Sequence, residues 1–173
     1  MSRPLKPGDS FPVRAFTFPG GKSETLTSLL GDKKGLVLMV YRGMQCGYCK
    51  AQLAEFDASL DELGERGFGA LAVSMDTAER AAQTQQALPR LPVAYGLAES
   101  DARASGLFLS SARKESEMPV FCEPGLFLVR SDGTLEAAWL SSLAFPRPTA
   151  VAILQAIDLV AGVDPSLPPR GSR

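Results

Sequence analysis

The apolar positions in the middle of the chain change from a strand pattern to a helix pattern and back. Gly35–Tyr41 is continuously apolar, as a central strand buried on both faces would be. Phe68–Met75 predicts a second strand of the same kind, joined to the first by a right-handed crossover. From Cys49 onward the apolar residues fall three and four apart, which predicts a helix ending near Gly64 or Gly67; they are Leu53, Phe56, Leu60 and Leu63.

The pattern continues as a second helix, a hairpin and a closing helix. Asp76 is predicted to cap the second helix, with Glu79 at the capping-box position. Gly125–Arg130 and Thr134–Leu140 flank a Ser-Asp-Gly turn, which indicates a β-hairpin. The closing helix opens at Pro148 and Thr149 and ends at Gly162, with a predicted buried face of Ala150, Ile153, Leu154, Ile157 and Val160.

The remaining segments show weaker patterns. Phe11–Phe18 alternates weakly, as an edge strand would, and Thr25–Leu30 favours a short helical turn. The stretch 91–116 is irregular apart from a short helix near Ser100–Gly106, and the Pro-rich tail, residues 163–173, is expected to be loosely ordered. The whole chain, 1–173, is therefore predicted to be one α/β domain with a central mixed sheet flanked by helices.

Composition excludes several classes of function. The charges nearly cancel, with 18 Lys and Arg against 19 Asp and Glu, so no affinity for nucleic acid or an anionic membrane is expected. The start, Met1–Gly8, lacks an apolar leader segment, which predicts a cytoplasmic protein. The absence of histidine rules out Ser-His-Asp and Cys-His catalysis and every metal site that needs a histidine.

The candidate chemistry lies in the pair Cys46 and Cys49. A predicted strand delivers the chain to a short loop, and the C-x-x-C then opens the next helix, where unpaired N–H groups favour a thiolate. Lys50 and Arg42 add positive charge nearby, and the spacing lets one sulfur resolve the oxidised form of the other. Two alternatives remain: cysteines that pack as small hydrophobic residues, and a zinc or copper site completed by Cys122 and Glu123.

Three blocks of sequence resemble the peroxiredoxin-like branch of the alkyl hydroperoxide reductase / thiol-specific antioxidant family. The first is Tyr41-Arg42-Gly43-x-x-Cys46-x-x-Cys49-Lys50, after an apolar strand. The others are the opening Leu5-Lys6-Pro7-Gly8-Asp9-x-x-Pro12 and the late segment Glu123-Pro124-Gly125-Leu126-Phe127-Leu128-Val129-x-x-Asp132-Gly133. A Pro-Pro-Arg-Gly tail, 168–171, completes the likeness.

The resemblance implies a thioredoxin-like fold with an N-terminal extension and an antioxidant thiol enzyme without a cofactor. Its substrate would be a small peroxide or disulfide, and its electron donor a thiol of the thioredoxin, glutaredoxin or glutathione type. The quaternary state stays open, with a homodimer as one alternative. Pro124 would occupy the place of the thioredoxin cis-proline, with a cis Glu123–Pro124 bond; the alternative is an ordinary trans proline entering a strand.

The chain departs from the family where typical members hold the peroxide. On the alignment Cys49 takes the peroxidatic position, Cys46 replaces a threonine, Arg42 replaces a proline, and Pro124 replaces a distant arginine. The peroxide-positioning set is therefore expected to be missing. The residues expected to support the pair are Arg42, Gly47, Tyr48, Lys50, Glu123 and Pro124.

The two resemblances disagree about which sulfur attacks. Thioredoxin logic names Cys46, and the peroxiredoxin alignment names Cys49. Because Cys46 lies at the helix start and Cys49 one turn further in, we expect Cys46 to have the lower pKa and Cys49 to resolve. Cys122 is either a third thiol near the pair or a buried strand residue. The alternative functions are a disulfide reductase without peroxidase activity and a thiol-based metal-binding or redox-sensing module.

Overall fold

The computed structural model describes residues 5–173, so Met1–Pro4 lie outside the described part of the chain. The strands are β1 (Ala15–Thr17), β2 (Ser23–Thr25), β3 (Gly35–Val40), β4 (Phe68–Val73), β5 (Val93–Ala94), β6 (Leu109–Ser111), β7 (Val120–Cys122), β8 (Gly125–Arg130) and β9 (Leu135–Leu140). The helices are α1 (Leu26–Leu30), α2 (Gly47–Ala58), α3 (Leu60–Glu65), α4 (Ala78–Gln86), α5 (Glu99–Ala104) and α6 (Ala150–Ala161). None of these helices is long and apolar enough to cross a bilayer.

A mixed sheet of five strands, in the order β5-β4-β3-β8-β9, forms the centre of the molecule. β3 lies in the middle, and all six of its residues are buried, which the continuous apolar run predicted. It pairs in parallel with β4, Gly35 opposite Phe68, and antiparallel with β8, Gly35 opposite Arg130. The predicted mixed sheet and the hairpin of β8 and β9 are confirmed.

Alternate residues of β3 point into two separate hydrophobic clusters, because successive strand residues face opposite sides of a sheet. On one face, Val37 and Met39 pack with α2 and α6, and this cluster contains Cys46 and Cys49. On the other face, Leu36 and Leu38 pack with a cluster of N-terminal and late residues that includes Phe11, Phe16, Phe127 and Cys122.

Several peripheral elements differ from the sequence-based expectations. β1 is not an edge of the main sheet but pairs with β2 in a small separate hairpin. The helix predicted from Cys49 onward begins at Gly47, between the two cysteines, and is interrupted at Ser59, which caps α3. The segment expected to be irregular also contributes β5 to the main sheet and β6 to a short pairing with β7.

The predicted cap of α4 was wrong by one residue. Thr77 is the N-cap, and its hydroxyl accepts from the Arg80 backbone N–H. The carboxylate of Asp76 instead accepts from the Met44 backbone N–H at 2.8 Å and pairs with the Arg80 side chain at 2.7 Å. The local capping pattern did not show that a distant loop would compete for this carboxylate.

The tail after α6 lies near the beginning of the described chain, since a Cβ built at Gly171 would lie 3.4 Å from Cγ of Pro7. Arg130 donates to the carbonyl of Pro165 at 3.3 Å, and Pro169 is buried. The expectations of a single domain and of a loosely ordered tail over residues 163–173 stay predictions.

Candidate active site

The redox loop, residues 41–46, connects β3 to α2 and ends on the first cysteine. Cys46 is the N-cap of α2, with φ −90° and ψ 107°, and its Sγ accepts from the Cys49 backbone N–H at 3.3 Å. An N-cap side chain satisfies one of the N–H groups that the first helical turn leaves without a partner. The sulfur therefore occupies a position that favours negative charge.

Cys49 lies below Cys46 in the interior, where it is completely inaccessible to solvent, while 4% of Cys46 remains exposed. Its Sγ accepts from the backbone N–H of Arg42 at 3.3 Å and from Nη2 of Arg147 at 3.0 Å. The same Nη2 lies 3.5 Å from Sγ of Cys46. One guanidinium nitrogen thus serves both sulfurs.

The surroundings push the two thiol pKa values apart. A hydrogen bond from the Cys49 thiol lowers the pKa of Cys46 to about 5, helped by the Cys49 backbone N–H, Arg147 and Arg42 and opposed by burial. Burial raises the pKa of Cys49 well above its ordinary range, and donation of its proton to Cys46 adds to this. These opposite directions favour a thiolate on Cys46 and a protonated thiol on Cys49 at neutral pH.

Arg147 comes from the segment between β9 and α6 and was missed by the sequence analysis. Its Nε donates to the Ala144 carbonyl at 2.6 Å, and its Nη1 donates to Oε1 of Gln52 at 3.1 Å. A guanidinium therefore does reach the sulfurs, although the position aligned with the expected arginine holds Pro124. In the sequence, Arg147 lies between two prolines just before a predicted helix. Nothing in that local pattern indicates that its side chain contacts a thiol.

Arg42 is the second cation of the site, and it is held by the buried Glu123 and the half-buried Glu117. Its Nε lies 3.0 Å from Oε2 of Glu123, without the alignment of a hydrogen bond, so the contact is a charge pair. Glu117 lies 3.8 Å from the same guanidinium, which also sits 4.8 Å from the centre of the Phe121 ring. Ser110 donates to the other Glu123 oxygen at 2.7 Å.

Asp76 holds the redox loop from the side of α4. Besides the bonds to Met44 and Arg80, its carboxylate approaches Gly43 closely enough that a Cβ there would lie 2.9 Å from Oδ1. Gly43 also has φ +135°, so a side chain at this position would be strained as well as crowded. Arg80 extends the anchor by donating to Gln45 Oε1 and to the Ser116 carbonyl.

The other predicted supporting residues lie at varying distances from the sulfurs. Gly47 begins α2 and is exposed, and Tyr48 is 60% exposed and stacks on Phe145 with ring centres 5.6 Å apart. Lys50 is exposed and borders a separate cavity between α2 and α4. Cys122 is fully buried on the opposite face of the sheet, and burial raises its pKa to about 12.

Pro124 lies beside the site but not in the predicted conformation. The cis peptide bond among the described residues is Phe145–Pro146, so the predicted cis Glu123–Pro124 bond is wrong. Pro124 enters β8 as an ordinary trans proline, and its carbonyl accepts from the Ser141 N–H at 2.9 Å. With Gln52, Trp139 and Arg147 it lines a cavity of about 650 Å³.

Among residues 5–173 no group of three or more Cys, Asp or Glu side chains is placed to hold a metal ion. The sheet, the paired thiols at a helix start and the guanidinium over them define a thiol-dependent oxidoreductase of the peroxiredoxin type with a thioredoxin-like fold. The profile of the AhpC/TSA family matches residues 7–138, and the chain belongs to that family.

Solved structures of similar fold support the same architecture. Peroxidoxin BcpB from Mycobacterium tuberculosis is 17% identical with a TM-score of 0.73, covering 92% of this chain and 99% of its own. A cysteine-to-serine mutant of Peroxiredoxin 6 of Arenicola marina is 18% identical with a TM-score of 0.74 over 95% and 80% of the two chains. Reduced Prx3 from Vibrio vulnificus in complex with H2O2 is 16% identical with a TM-score of 0.74 over 91% and 99%. A comparison with curated protein sequences gives no significant match.

Proposed function

We propose that Cys46 is the attacking thiolate of a peroxide-reducing cycle and that Cys49 resolves it within the same chain. The observation that carries the proposal is the asymmetry of the pair. Cys46 caps the helix, keeps the exposed fraction and has a lowered pKa, whereas Cys49 is wholly buried and keeps its proton. Since the thiolate is the nucleophile, only Cys46 combines charge with access.

The cycle balances with groups that the site supplies and one external reductant. The Cys46 thiolate attacks a peroxide oxygen; an S–O bond forms, the O–O bond breaks, and the leaving oxygen takes a proton to become an alcohol or water. Cys49 then attacks the sulfenic sulfur, an S–S bond forms, and the hydroxyl leaves as water with the proton of Cys49. An external dithiol, or two thiols, must return two electrons to the disulfide.

The Arg147 guanidinium replaces the threonine and arginine with which typical family members bind and activate the peroxide. Arg147 lies within 3.5 Å of both sulfurs, and its guanidinium can stabilise the charge that moves to the leaving oxygen. A peroxide substrate agrees with family membership and with the H2O2 complex of the Vibrio vulnificus relative. The proposed donor is a thiol of the thioredoxin, glutaredoxin or glutathione type, and a homodimer is the proposed assembly to test.

Single-turnover oxidation by H2O2 of the three Cys→Ser variants tests the roles. We expect Cys46→Ser to lose fast oxidation, by about a hundredfold or more, since no other thiolate is accessible. Cys49→Ser should react once and stop as a Cys46 sulfenic acid that dimedone traps, and Cys122→Ser should match the wild type. Peptide mapping of oxidised wild type should find a Cys46–Cys49 disulfide. Fast oxidation of Cys46→Ser, or a bridge only to Cys122, would contradict the assignment.

A disulfide substrate is the second candidate, because the C-x-x-C pair can exchange directly with an external disulfide without any peroxide-positioning group. Rate constants for H2O2 and for a model disulfide, measured on the same reduced protein, separate the two. A disulfide rate far above the peroxide rate would make exchange the main activity.

A further inference from the structure

The two arginines of the site differ in their other partners. Arg42 is paired with Glu123 and Glu117, so much of its charge is already balanced. Arg147 takes part in no ion pair among residues 5–173. Apart from the two sulfurs, it donates to neutral oxygens of Ala144 and Gln52.

Gln52 is half-buried and lies one helical turn after Cys49 on α2. Both the oxygen and the nitrogen of its side-chain amide form hydrogen bonds. Oε1 accepts from Nη1 of Arg147 at 3.1 Å, and Nε2 donates to the Pro148 carbonyl at 2.9 Å. Glu55, one turn further on, accepts from the Ala150 N–H at 2.8 Å. Cys49, Gln52 and Glu55 thus fasten the start of α6 along one side of α2, because residues three apart are neighbours on a helix surface.

Resting on the proposed function, we propose that Gln52 is a positioning residue that holds the Arg147 guanidinium over the sulfurs through a neutral amide and so leaves its positive charge to the thiolate. A glutamate at this place could accept the same hydrogen bond. It would also become the counter-ion of Arg147 and put a second negative charge near Cys46. An apolar side chain would lose the bond and the contact with Pro148 without adding charge.

The charged groups around the two cysteines lie so that a substitution of Gln52 affects only one of them directly. Arg147 faces the sulfurs from the segment before α6, and Arg42 faces them from the redox loop with Glu123 and Glu117 behind it. Changing Gln52 alters the partner of Arg147 and leaves the Arg42 cluster as it is.

The experiment follows alkylation of the reduced protein by iodoacetamide from pH 4 to pH 9, with Cys46 and Cys49 read separately by mass spectrometry. We expect Gln52→Glu to raise the midpoint of Cys46 alkylation by about one pH unit, which is a tenfold loss of rate below the midpoint. Gln52→Met should raise it by a smaller amount, since it only loosens Arg147. Ala51→Glu, which places the same charge one residue earlier on an exposed position of α2, should leave the midpoint unchanged.

The outcomes separate this proposal from the proposed function. Unchanged midpoints in Gln52→Glu and Gln52→Met, even with lowered melting temperatures, would overturn the positioning role and leave the cysteine roles intact. Equal shifts in Gln52→Glu and Ala51→Glu would overturn it too, because any nearby charge would then act alike. Preferential alkylation of Cys49 in the wild type would overturn both proposals. If Gln52→Glu does not fold, the Gln52→Met midpoint decides.

Discussion

At the scale of single residues, Arg147 and Arg42 should contribute differently to reactivity and to stability, although both lie beside the paired cysteines. Arg147 is half-buried and bonded to neutral groups, so its charge acts on the sulfurs. Arg42 has a buried carboxylate as its counter-ion, since only 5% of Glu123 is exposed. Removing Arg42 leaves the buried Glu123 carboxylate without its partner, whereas the Cys46 thiolate can take up a proton when Arg147 is removed, so the loss of Arg42 should be the more destabilising change.

Arg147→Met should therefore reduce reactivity more than stability. We expect the pKa of Cys46 to rise and its oxidation by H2O2 to slow by about tenfold or more, because a charge-assisted hydrogen bond is lost. Urea unfolding at neutral pH should change by about 1–2 kcal/mol, because a one-unit rise in the pKa of Cys46 corresponds to about 1.4 kcal/mol of stability. Stopped-flow oxidation and urea titration measure the two effects.

Arg42→Met should reduce stability more than reactivity. It leaves the Glu123 charge buried without its partner, which costs about 3–5 kcal/mol of unfolding free energy. The double variant Arg42→Met/Glu123→Gln should recover part of that loss, since the stranded charge is gone. A loss of stability in Arg147→Met as large as in Arg42→Met would contradict this division.

At the scale of elements, the redox loop is held from two sides, and a third contact holds the segment that carries Arg147. Asp76 and Arg80 hold the loop from the N-terminal end of α4, and Glu123 holds Arg42 from the connection between β7 and β8. Gln52 fastens the segment before α6. β3 itself is central and buried, so the loop begins from a rigid base. The loops of the site are thus tied to helices and strands that are far apart in sequence.

Asp76→Ala and Thr77→Ala should separate anchoring of the loop from capping of the helix. Thr77→Ala removes an N-cap and should cost about 1 kcal/mol without changing the rate of oxidation. Asp76→Ala strands Arg80 and the Met44 N–H, so we expect a loss of about 3 kcal/mol or more and slower oxidation of Cys46. Urea titration and stopped-flow oxidation of both variants give the comparison. Equal effects would mean that Asp76 serves the helix alone.

At the scale of the whole molecule, the lowered pKa of Cys46 links stability to pH. The folded thiol has a pKa of about 5 against an ordinary value of 9.0. Between these values the unfolded chain binds a proton that the folded chain does not, so stability rises with pH by up to about 1.4 kcal/mol per unit. This contribution is fully present above pH 9 and is lost as the pH falls through 5.

Urea titrations of the reduced protein at pH 6 and pH 8 test this linkage. The difference in unfolding free energy between wild type and Cys46→Ser should grow toward pH 8, because the serine variant lacks the ionisable thiol. Cys49, whose pKa is raised, works in the opposite direction only where the unfolded thiol ionises, near pH 9 and above. A constant difference would show that Cys46 is not ionised in the folded state.

The sequence by itself determined the order of the central strands and helices, the family and the place of the cysteine pair. Apolar periodicity is a local property, so β3, β4, β8 and α6 followed from nearby residues. The start of α2 at the C-x-x-C was also a local signal. The sequence could not assign the capping of α4, because Asp and Thr are both favoured N-caps and only the contacts of Asp76 with Met44 and Arg80 show that Thr77 takes the role.

Only the tertiary structure decided what surrounds the two sulfurs. Arg147 lies 101 positions after Cys46, and Gln52 is one of many polar residues on α2, so no local pattern marks either. The packing of α6 beside α2 brings them together, and the same packing leaves Cys46 at the edge and Cys49 inside. Desolvation and the nearest charge depend on such contacts, and they shift the pKa values of the two thiols in opposite directions.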